Sequence, residues 1–215
     1  MRSKIIKTLT FGSIQLIDKK RNMRAIIRCN YIIITIFLFI SCNEDRKLTH
    51  NIAQMKSQPI DLCLDSLQYY ISTTNCSVEI DSSSFYRKNT SIVVYTDSSV
   101  CSSCTVKGMY KWFDFLDEIE ERYGGDMKIY FIFSPRKSQM NDFQIALHSL
   151  NLNYPVFIDS TNIFIRHNPH IPSNKRLHTF LINTDNMVYL VGSPLENLTI
   201  HELFHKTASN LLQRK

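Results

Sequence analysis

Residues 92–104 read Ile-Val-Val-Tyr-Thr-Asp-Ser-Ser-Val-Cys-Ser-Ser-Cys, an apolar run that leads into two cysteines three positions apart. The β-branched and aromatic start of this stretch is typical of a buried strand. Helical spacing of apolar residues begins directly after Cys104. Cys101 therefore lies at the predicted N-terminus of a helix, where backbone N–H groups and the helix dipole stabilise a thiolate. This context predicts a redox-active dithiol, although cysteines at this spacing also occur in zinc sites and in ordinary disulfides.

The rest of the pattern predicts alternating strands and helices. Helical spacing continues from Val106 to Ile119 and stops at Gly124-Gly125, and a second helix is predicted over residues 140–150. Strands are predicted at 127–133, 155–158, 179–182 and 187–191, the last two joined by Asn183-Thr184-Asp185-Asn186 into a hairpin, and a last helix has the inner stripe Ile200, Leu203, Phe204, Leu211 and Leu212. This order predicts an α/β fold with a central mixed β-sheet flanked by helices.

The N-terminal part of the chain has the pattern of an exported lipoprotein. Residues 31–40 form an apolar run that is shorter than the roughly 20 residues needed to span a bilayer. Arg24 and Arg28 precede this run, and a serine and Cys42 follow it. The order resembles a bacterial lipoprotein signal, so we expect residues 1–41 to be a signal peptide. Cys42 would then be lipidated and would anchor the protein to a membrane of the bacterial cell envelope, facing outside the cytoplasm.

The positive charge of the chain is concentrated in this leader. The whole chain has 25 Lys and Arg against 19 Asp and Glu, a formal net charge of +6. Residues 1–41 hold eight of the basic residues and one acidic residue, which leaves 17 basic and 18 acidic residues and a net charge of −1. We therefore expect no nucleic-acid partner. Met23 would begin a signal of ordinary length, so both Met1 and Met23 are candidate starts.

Three segments of the remaining chain differ in composition. Residues 42–57 are polar with little periodicity, which predicts a lipid-anchored tether. Residues 58–90 are an N-terminal extension in which an apolar segment alternates with turn-like clusters, a pattern that fits short strands as well as a small helix. Residues 91–215 form the predicted α/β domain.

Four cysteines follow Cys42, namely Cys63, Cys76, Cys101 and Cys104, and four cysteines allow three pairings. We favour the local pairing of Cys101 with Cys104 and of Cys63 with Cys76, because a functional dithiol should not be tied elsewhere. Disulfides persist outside the cytoplasm, so this cysteine usage agrees with export.

Three segments together are similar to one known family. They are Val93-Val94-Tyr95-Thr96 leading to Cys101-Ser102-Ser103-Cys104, then Tyr154-Pro155-Val156-Phe157-Ile158-Asp159, and finally His178-Thr179-Phe180-Leu181-Ile182 with residues 188–194 behind it. The combination covers residues 92–212. It resembles thioredoxin-like lipoproteins of the bacterial envelope, close to the membrane-anchored thiol–disulfide reductase branch of the thioredoxin superfamily.

This resemblance implies a thioredoxin-like fold and a thiol–disulfide oxidoreductase that exchanges disulfides with protein clients. Cys101 would be the exposed nucleophile, and Cys104, one helical turn inward and less accessible, would resolve the mixed disulfide. Ser102 and Ser103 would help to set the reduction potential. The implied partners are protein thiol or disulfide clients and an upstream electron donor, with neither an organic cofactor nor a metal.

Two positions depart from the family pattern. The family places a cis-proline before the hairpin strand, where this chain has His178, and a non-proline cis bond costs about 2.5–4 kcal/mol, so we expect a trans bond. His178 either faces the dithiol and tunes its pKa or lies at the strand edge toward solvent or a loop. Tyr95 replaces the family's buried acid six residues before Cys101, and Asp97 lies nearer to the motif on a loop.

A second literal motif is H-E-x-x-H at residues 201–205, which on a helix can bind zinc with the glutamate as base. Only ten residues follow it, so a third ligand would have to come from upstream. Thr199 and Glu202 fit a capping box, which gives the glutamate a structural task. Because Leu203 and Phe204 belong to the inner stripe, we expect His201 and His205 to lie toward the flank or solvent. We therefore predict no metalloprotease.

Two other functions compete with the exchange enzyme. Some thioredoxin-fold envelope proteins carry copper with two cysteines and a histidine, and His167, His170 or His178 would then complete a Cu(I) site with Cys101 and Cys104. Those carriers generally space their cysteines by three residues rather than two, which counts against this function. The other alternative is a non-catalytic binding or scaffold lipoprotein, which the missing proline and the missing acid favour.

Overall fold

The computed structural model describes residues 44–71, 89–150, 152 and 154–213. The chain divides into two compact units, Met1–His50 and Asn51–Lys215. In the first unit the described residues are 44–50, which are helical. The predicted signal peptide, residues 1–41, and the predicted lipidation site, Cys42, lie outside the described residues. Along the part of the chain that is described, no helix is long and apolar enough to cross a membrane.

The second unit is built on one mixed sheet. Its strands are β1 Gln68–Tyr70, β2 Thr90–Thr96, β3 Met127–Phe133, β4 Val156–Ile158, β5 Thr179–Ile182 and β6 Val188–Val191, in the spatial order β1-β4-β3-β2-β5-β6. β2, β3 and β4 are parallel, β1 is antiparallel to β4, and the hairpin β5–β6 adds two antiparallel strands beside β2. β2 and β3 are buried along nearly their whole length, as their continuous apolar sequences predict.

After β2 the helices of this unit are α1 Ser102–Lys107, α2 Phe113–Tyr123, α3 Met140–Leu150, α4 Ile163–His167 and α5 Leu198–Leu212. The sequence predicts helices in the segments of α1 to α3 and of α5, whereas α4 lies in a segment where it predicts a loop. A 3-10 turn, Met109–Trp112, separates α1 from α2, so the single helix predicted after the cysteines is two helices. Gly124 ends α2 with a φ of 52°, in the left-handed region that glycine adopts without a steric penalty.

The long helices pack on one face of the sheet. β2, β3 and β4 follow one another across the sheet, and right-handed crossovers place α1, α2 and α3 on the same face. α5 joins them there, and the core between helices and sheet includes Ile92, Val106, Phe115, Phe131, Phe133, Phe143 and Phe204. Because side chains alternate along a strand, Val93 and Tyr95 of β2 point to the opposite face.

Two sequence expectations are wrong in this unit. Residues 51–55 are helical and Met55 is fully buried, so the end of the predicted tether, residues 42–57, belongs to the fold. Leu203 is 45% exposed, whereas His205 is only 7% exposed. The inner face of α5 is rotated from the predicted stripe so that Phe204, His205 and Ala208 face the core.

The N-terminal extension contributes an edge strand. β1 pairs with β4, with Gln68 opposite Ile158, and a 3-10 turn at Leu64–Ser66 precedes it. Cys63 carries a free thiol at the start of this turn, with its Sγ 3.5 Å from the backbone oxygen of Asp61. The structure therefore gives no support to the favoured pairing of Cys63, and Cys76 lies outside the described residues.

Candidate functional site

Cys101 and Cys104 form a disulfide where β2 leads into α1. Their Cα atoms are 5.3 Å apart. Cys101 is the N-cap residue of α1, and its Sγ accepts a hydrogen bond from the backbone N–H of Cys104 at 3.3 Å. The hydroxyl oxygen of Ser103 lies 3.5 Å from the same sulfur. The predicted pairing is present at the predicted strand–helix junction.

These contacts favour negative charge on one of the two sulfurs. A backbone N–H and a hydroxyl that surround a sulfur stabilise its thiolate over its thiol. α1 has only six residues, so the stabilisation of Cys101 comes from these local donors more than from a long helix dipole. After reduction, Cys101 is therefore the cysteine whose thiolate the structure supports.

The exposure of the two cysteines is opposite to the expectation. Cys104 is exposed, whereas Cys101 is partly buried. Ser102 and Val106 are buried and form the inner side of α1. Cys104 lies about 200° around the helix axis from Ser102, since each residue turns the helix by about 100°. The prediction that Cys104 is the inner, less accessible cysteine is therefore wrong.

A tight turn before α1 positions Cys101. The backbone oxygen of Asp97 accepts a bond from the N–H of Val100, and its Oδ1 accepts one from the N–H of Ser99 at 2.8 Å. Arg136 Nε donates to the backbone oxygen of Ser98 at 2.6 Å. Burial acts to raise the pKa of Asp97, but the hydroxyl and N–H of Ser99, together with the charges of His178 and Lys175, hold that pKa below its usual value. Asp97 is thus a charged turn residue with an engaged carboxylate.

Tyr95 stands where the family has a buried acid, and it is buried. Its ring packs against the rings of Phe164 at 4.9 Å and His178 at 5.2 Å. Burial raises the pKa of the Tyr95 hydroxyl; the Ser134 hydroxyl opposes this rise and the charge of Asp159 adds to it. A neutral phenol of this kind does not replace a carboxylate as proton acceptor.

His178 is only 4% exposed, so it does not face solvent; of the expected alternatives, it faces a loop, the one that contains Pro172. Its Nε2 donates a hydrogen bond to the backbone oxygen of Pro172 at 2.9 Å. Burial lowers its pKa, although the bond to Pro172 opposes the shift. The described contacts of the ring are with Tyr95 and Pro172 rather than with either sulfur. All peptide bonds of the described residues are trans, as expected at this position.

A buried carboxylate does lie at this edge of the sheet, supplied by Asp159 after β4. Asp159 is 2% exposed and accepts bonds from the N–H groups of Ile163 and Phe164, both at 2.9 Å. The hydroxyl of Ser134 donates to the same carboxylate at 3.3 Å. These donors compensate the charge of the Asp159 carboxylate, and the carboxylate in turn caps the first turn of α4. An acid directly after a strand and shortly before a helix is the sequence signal that predicts such a cap.

The dithiol has no histidine ligand beside it among the described residues. His167 Nδ1 instead lies 2.9 Å from Asp61 Oδ2, and His178 contacts Pro172. The described clusters that can hold a metal are Asp61, Cys63 and His167, and Glu118, His201 and His205. The copper site that we weighed as an alternative, made of the dithiol and one of His167, His170 and His178, is therefore not assembled in the described part of the chain.

The last helix, which contains the H-E-x-x-H motif, has a different N-cap residue from the predicted one. Asn197, rather than Thr199, caps α5, because the side-chain oxygen of Asn197 accepts a hydrogen bond from the N–H of Ile200 at 3.0 Å. Glu202 is exposed, and His205 is buried instead of facing solvent. Sequence reasoning missed the residue that meets the two histidines, Glu118 of α2.

No protein-family model and no curated protein matches this chain. Solved structures that match include a putative protein disulfide isomerase from Bacteroides thetaiotaomicron, with 15% identity over 61% of this chain and 77% of that chain and a TM-score of 0.41. A putative thiol:disulfide interchange protein DsbE from Chlorobium tepidum has 14% identity over 60% and 84%, also with a TM-score of 0.41. The exposed lipoprotein thioredoxin Etrx1 from Streptococcus pneumoniae has 16% identity over 58% and 88%, with the same TM-score of 0.41.

Because these identities and TM-scores are low, the fold assignment depends on the topology of the chain itself. β2 and β3 are parallel and joined by helices, the antiparallel hairpin β5–β6 lies beside β2, and α5 returns to the core. The disulfide lies where β2 leads into α1. The protein thus has a thioredoxin-like fold, with a cysteine pair at the junction of a central strand and the first helix of the domain.

Proposed function

We propose that this protein is an envelope thiol–disulfide oxidoreductase that exchanges disulfides with protein clients through Cys101 and Cys104. The observation that supports it most is the disulfide at the start of α1, in which Cys101 Sγ accepts the N–H of Cys104. A disulfide at this place in a thioredoxin-like fold is accessible from solvent, since Cys104 is exposed. Its reduced form has one stabilised thiolate, which is the reactive species in exchange.

In the proposed reduction of a client, the Cys101 thiolate attacks one sulfur of the client disulfide. A Cys101–client disulfide forms, and the other client sulfur leaves as a thiolate. Cys104 then loses its proton and attacks Cys101 Sγ, which releases the second client thiolate and forms the Cys101–Cys104 disulfide. Two electrons pass from the protein to the client, so an upstream dithiol donor must reduce the pair again. Oxidation of a client is the same sequence in reverse.

The assignment of Cys101 as nucleophile follows from charge rather than exposure. Cys104 is the more exposed cysteine, but exchange rates depend on the thiolate fraction as well as on access. Cys101 has the donors that stabilise a thiolate and is only partly buried. The two criteria point to different sulfurs, so single-cysteine variants distinguish them.

Trapping in cells tests this function. Cys104→Ser should accumulate mixed disulfides through Cys101, seen as adducts on non-reducing gels, and Cys101→Ser should accumulate far fewer. Cys63→Ser is the matched control, because Cys63 is the free cysteine among the described residues and should leave the adduct pattern unchanged. If Cys104→Ser captures no client and the reduced protein does not reduce a model protein disulfide, the exchange function is wrong and a scaffold function remains.

We also propose the location, with Cys42 lipidated and the folded unit outside the cytoplasm. The support is the leader pattern of basic residues, a short apolar run and a small residue before Cys42. Growth with labelled palmitate should label the protein, and Cys42→Ala should abolish the label. Cys63→Ala is the matched control and should keep it. Label that persists in Cys42→Ala, or no label at all, would rule out this anchor.

A further inference from the structure

The side chains of Glu118, His201 and His205 meet between α2 and α5, a site that the dithiol chemistry does not use. Glu118 Oε2 lies 3.2 Å from His201 Nε2, and Glu118 Oε1 lies 3.1 Å from His205 Nε2. The two imidazole rings are 4.7 Å apart, and one ligand atom from each of the three residues lies within 4.8 Å of the others. Three good metal ligands therefore converge on one point.

The helix geometry explains this convergence. His201 and His205 are four residues apart on α5, which places them one turn apart on the same face. The ring of Phe115 lies 5.7 Å from the His201 ring and 5.9 Å from the His205 ring, so both imidazoles pack against the same aromatic side chain. Glu202, the middle acid of the H-E-x-x-H motif, is exposed and lies outside the cluster. The third ligand, Glu118, thus comes from α2.

His205 is oriented as metal-binding histidines commonly are. Its Nδ1 lies 2.9 Å from the hydroxyl of Tyr123, a partner that fixes the ring and leaves Nε2 for a ligand. His205 is 7% exposed, and its Nε2 is buried without a well-formed hydrogen bond, although Glu118 lies close to it. An imidazole nitrogen whose lone pair faces a nearby carboxylate is unfavourable unless a proton or a metal ion lies between the two groups.

We propose that Glu118, His201 and His205 bind one divalent metal ion of the zinc class, with a fourth position open to water. Two imidazoles and one carboxylate are a known zinc ligand set, and imidazole also suits the neighbouring metals of the first row. Zinc bonds of about 2.0–2.2 Å in tetrahedral geometry place ligand atoms about 3.3–3.5 Å apart. The two Nε2 atoms lie 3.1 and 3.2 Å from the Glu118 carboxylate, each from a different oxygen, and these separations are close to this spacing.

The proposed metal site is structural, because the ion links α5 to α2, and it is not the site of a metalloprotease. Glu202, which is the base in the ordinary H-E-x-x-H mechanism, is exposed to solvent, which does not favour that mechanism here. Arg122 forms an ion pair with Glu118 at 2.9 Å, and this pair would be lost when the Glu118 carboxylate binds the metal. Arg122 is 54% exposed, and such surface pairs contribute little, so this exchange costs little.

Cobalt titration of the full chain with the Cys101–Cys104 disulfide oxidised tests the proposal. We expect one Co²⁺ per chain, with the visible absorption of a four-coordinate ion, displaced by Zn²⁺. Glu118→Gln and His201→Gln should weaken binding by more than the roughly 10–100-fold that loss of an outer partner costs, and Tyr123→Phe should fall within that range. Glu202→Gln is the matched control within the same motif and should bind as the wild type does.

A second measurement separates this site from weak surface binding. Because a ligand of the native state raises its stability by mass action, Zn²⁺ should raise the thermal unfolding midpoint of the wild type and of Glu202→Gln. His201→Gln should unfold at the wild-type midpoint without metal and should show no rise with it. The proposal is overturned if the wild type binds no Co²⁺, or if Glu118→Gln and His201→Gln bind it unchanged. Binding lost in Cys63→Ser instead would assign the ion to Asp61, Cys63 and His167.

Discussion

The Cys101–Cys104 turn is built from neighbours in the sequence, whereas the Glu118–His201–His205 cluster is built by packing. The sulfur of Cys101 receives its hydrogen bond from a residue three positions away, within the first turn of α1. The cluster needs α5 to dock on α2, and its supporting pair, Tyr123 and His205, is 82 positions apart. The chemistry of the turn should therefore survive changes that loosen α5, and the cluster should not.

The largest expected effect comes from Phe204→Ala. Phe204 is 2% exposed and its ring packs 5.4 Å from that of Phe115, beneath the cluster. Removing a buried aromatic side chain should lower the free energy of unfolding by about 3–5 kcal/mol. Denaturant titration measures this loss, and cobalt binding should weaken with it. The reactivity of Cys101 toward iodoacetamide should stay unchanged.

Leu203→Ala is the matched control for this prediction, since Leu203 is on the same helix but 45% exposed. Its loss should lower the free energy of unfolding by only about 0.5 kcal/mol. Equal losses in the two variants would contradict the assigned inner face of α5. A change in Cys101 reactivity in Phe204→Ala would contradict the independence of the two regions.

Much of this comparison could be predicted from the chain alone. The apolar runs of β2 and β3, the Gly-Gly stop after α2 and the Asn-rich hairpin turn are local signals, and each element lies where its pattern predicts it. The disulfide of Cys101 and Cys104 is equally local, because both residues belong to one helical turn.

The remaining features depend on how each helix is rotated against its neighbours. A rotation of α5 about its axis by one residue, about 100°, decides whether Leu203 or His205 faces the core. The pattern of apolar residues in α5 favours Leu203, which the structure exposes. The outward position of Cys104 has the same origin, since Ser102 takes the inner place. Glu118 was not identified because nothing near it in the sequence marks it as a partner of α5.

The pH dependence of stability should report on the buried histidines and leave the dithiol turn unaffected. Burial lowers the pKa of His178, and also those of His170 and His205, below the ordinary 6.5. The unfolded chain then binds more protons than the native protein between the two pKa values. The stabilising contribution is complete above pH of about 6.5 and is lost as the pH falls through the lowered native values.

Denaturant titrations from pH 8 to pH 5 measure this loss. His178→Gln should make the decline shallower, because one of the buried titrating groups is removed. The Cys101 thiolate should titrate at the same pH in His178→Gln and in the wild type, since the ring of His178 contacts Tyr95 and Pro172 and its charge interacts with Asp97 rather than with either sulfur. A displaced Cys101 titration would show that His178 tunes the dithiol after all.

A smaller effect is expected from Ser102→Ala inside the dithiol turn. Ser102 is fully buried, and its hydroxyl has no hydrogen-bond partner among the described residues. Alanine removes the unsatisfied group and has the higher helix propensity, so the free energy of unfolding should rise by about 1 kcal/mol. Ser103→Ala is the control; it should leave stability nearly unchanged and raise the pKa of Cys101, whose sulfur it contacts. A loss of stability in Ser102→Ala would contradict the burial of an unpaired hydroxyl.

The reduction potential of the Cys101–Cys104 pair decides whether this disulfide exchanges with other proteins or only holds the turn together. The protein would be equilibrated in glutathione and dithiothreitol redox buffers, and the oxidised fraction read by mass after alkylation of free thiols. We expect a potential within the range of exchange proteins, about −120 to −270 mV, with Cys101 alkylated faster than Cys104 at neutral pH. A potential below about −300 mV together with two slowly alkylated thiols would identify a fixed structural disulfide and would contradict the proposed exchange function.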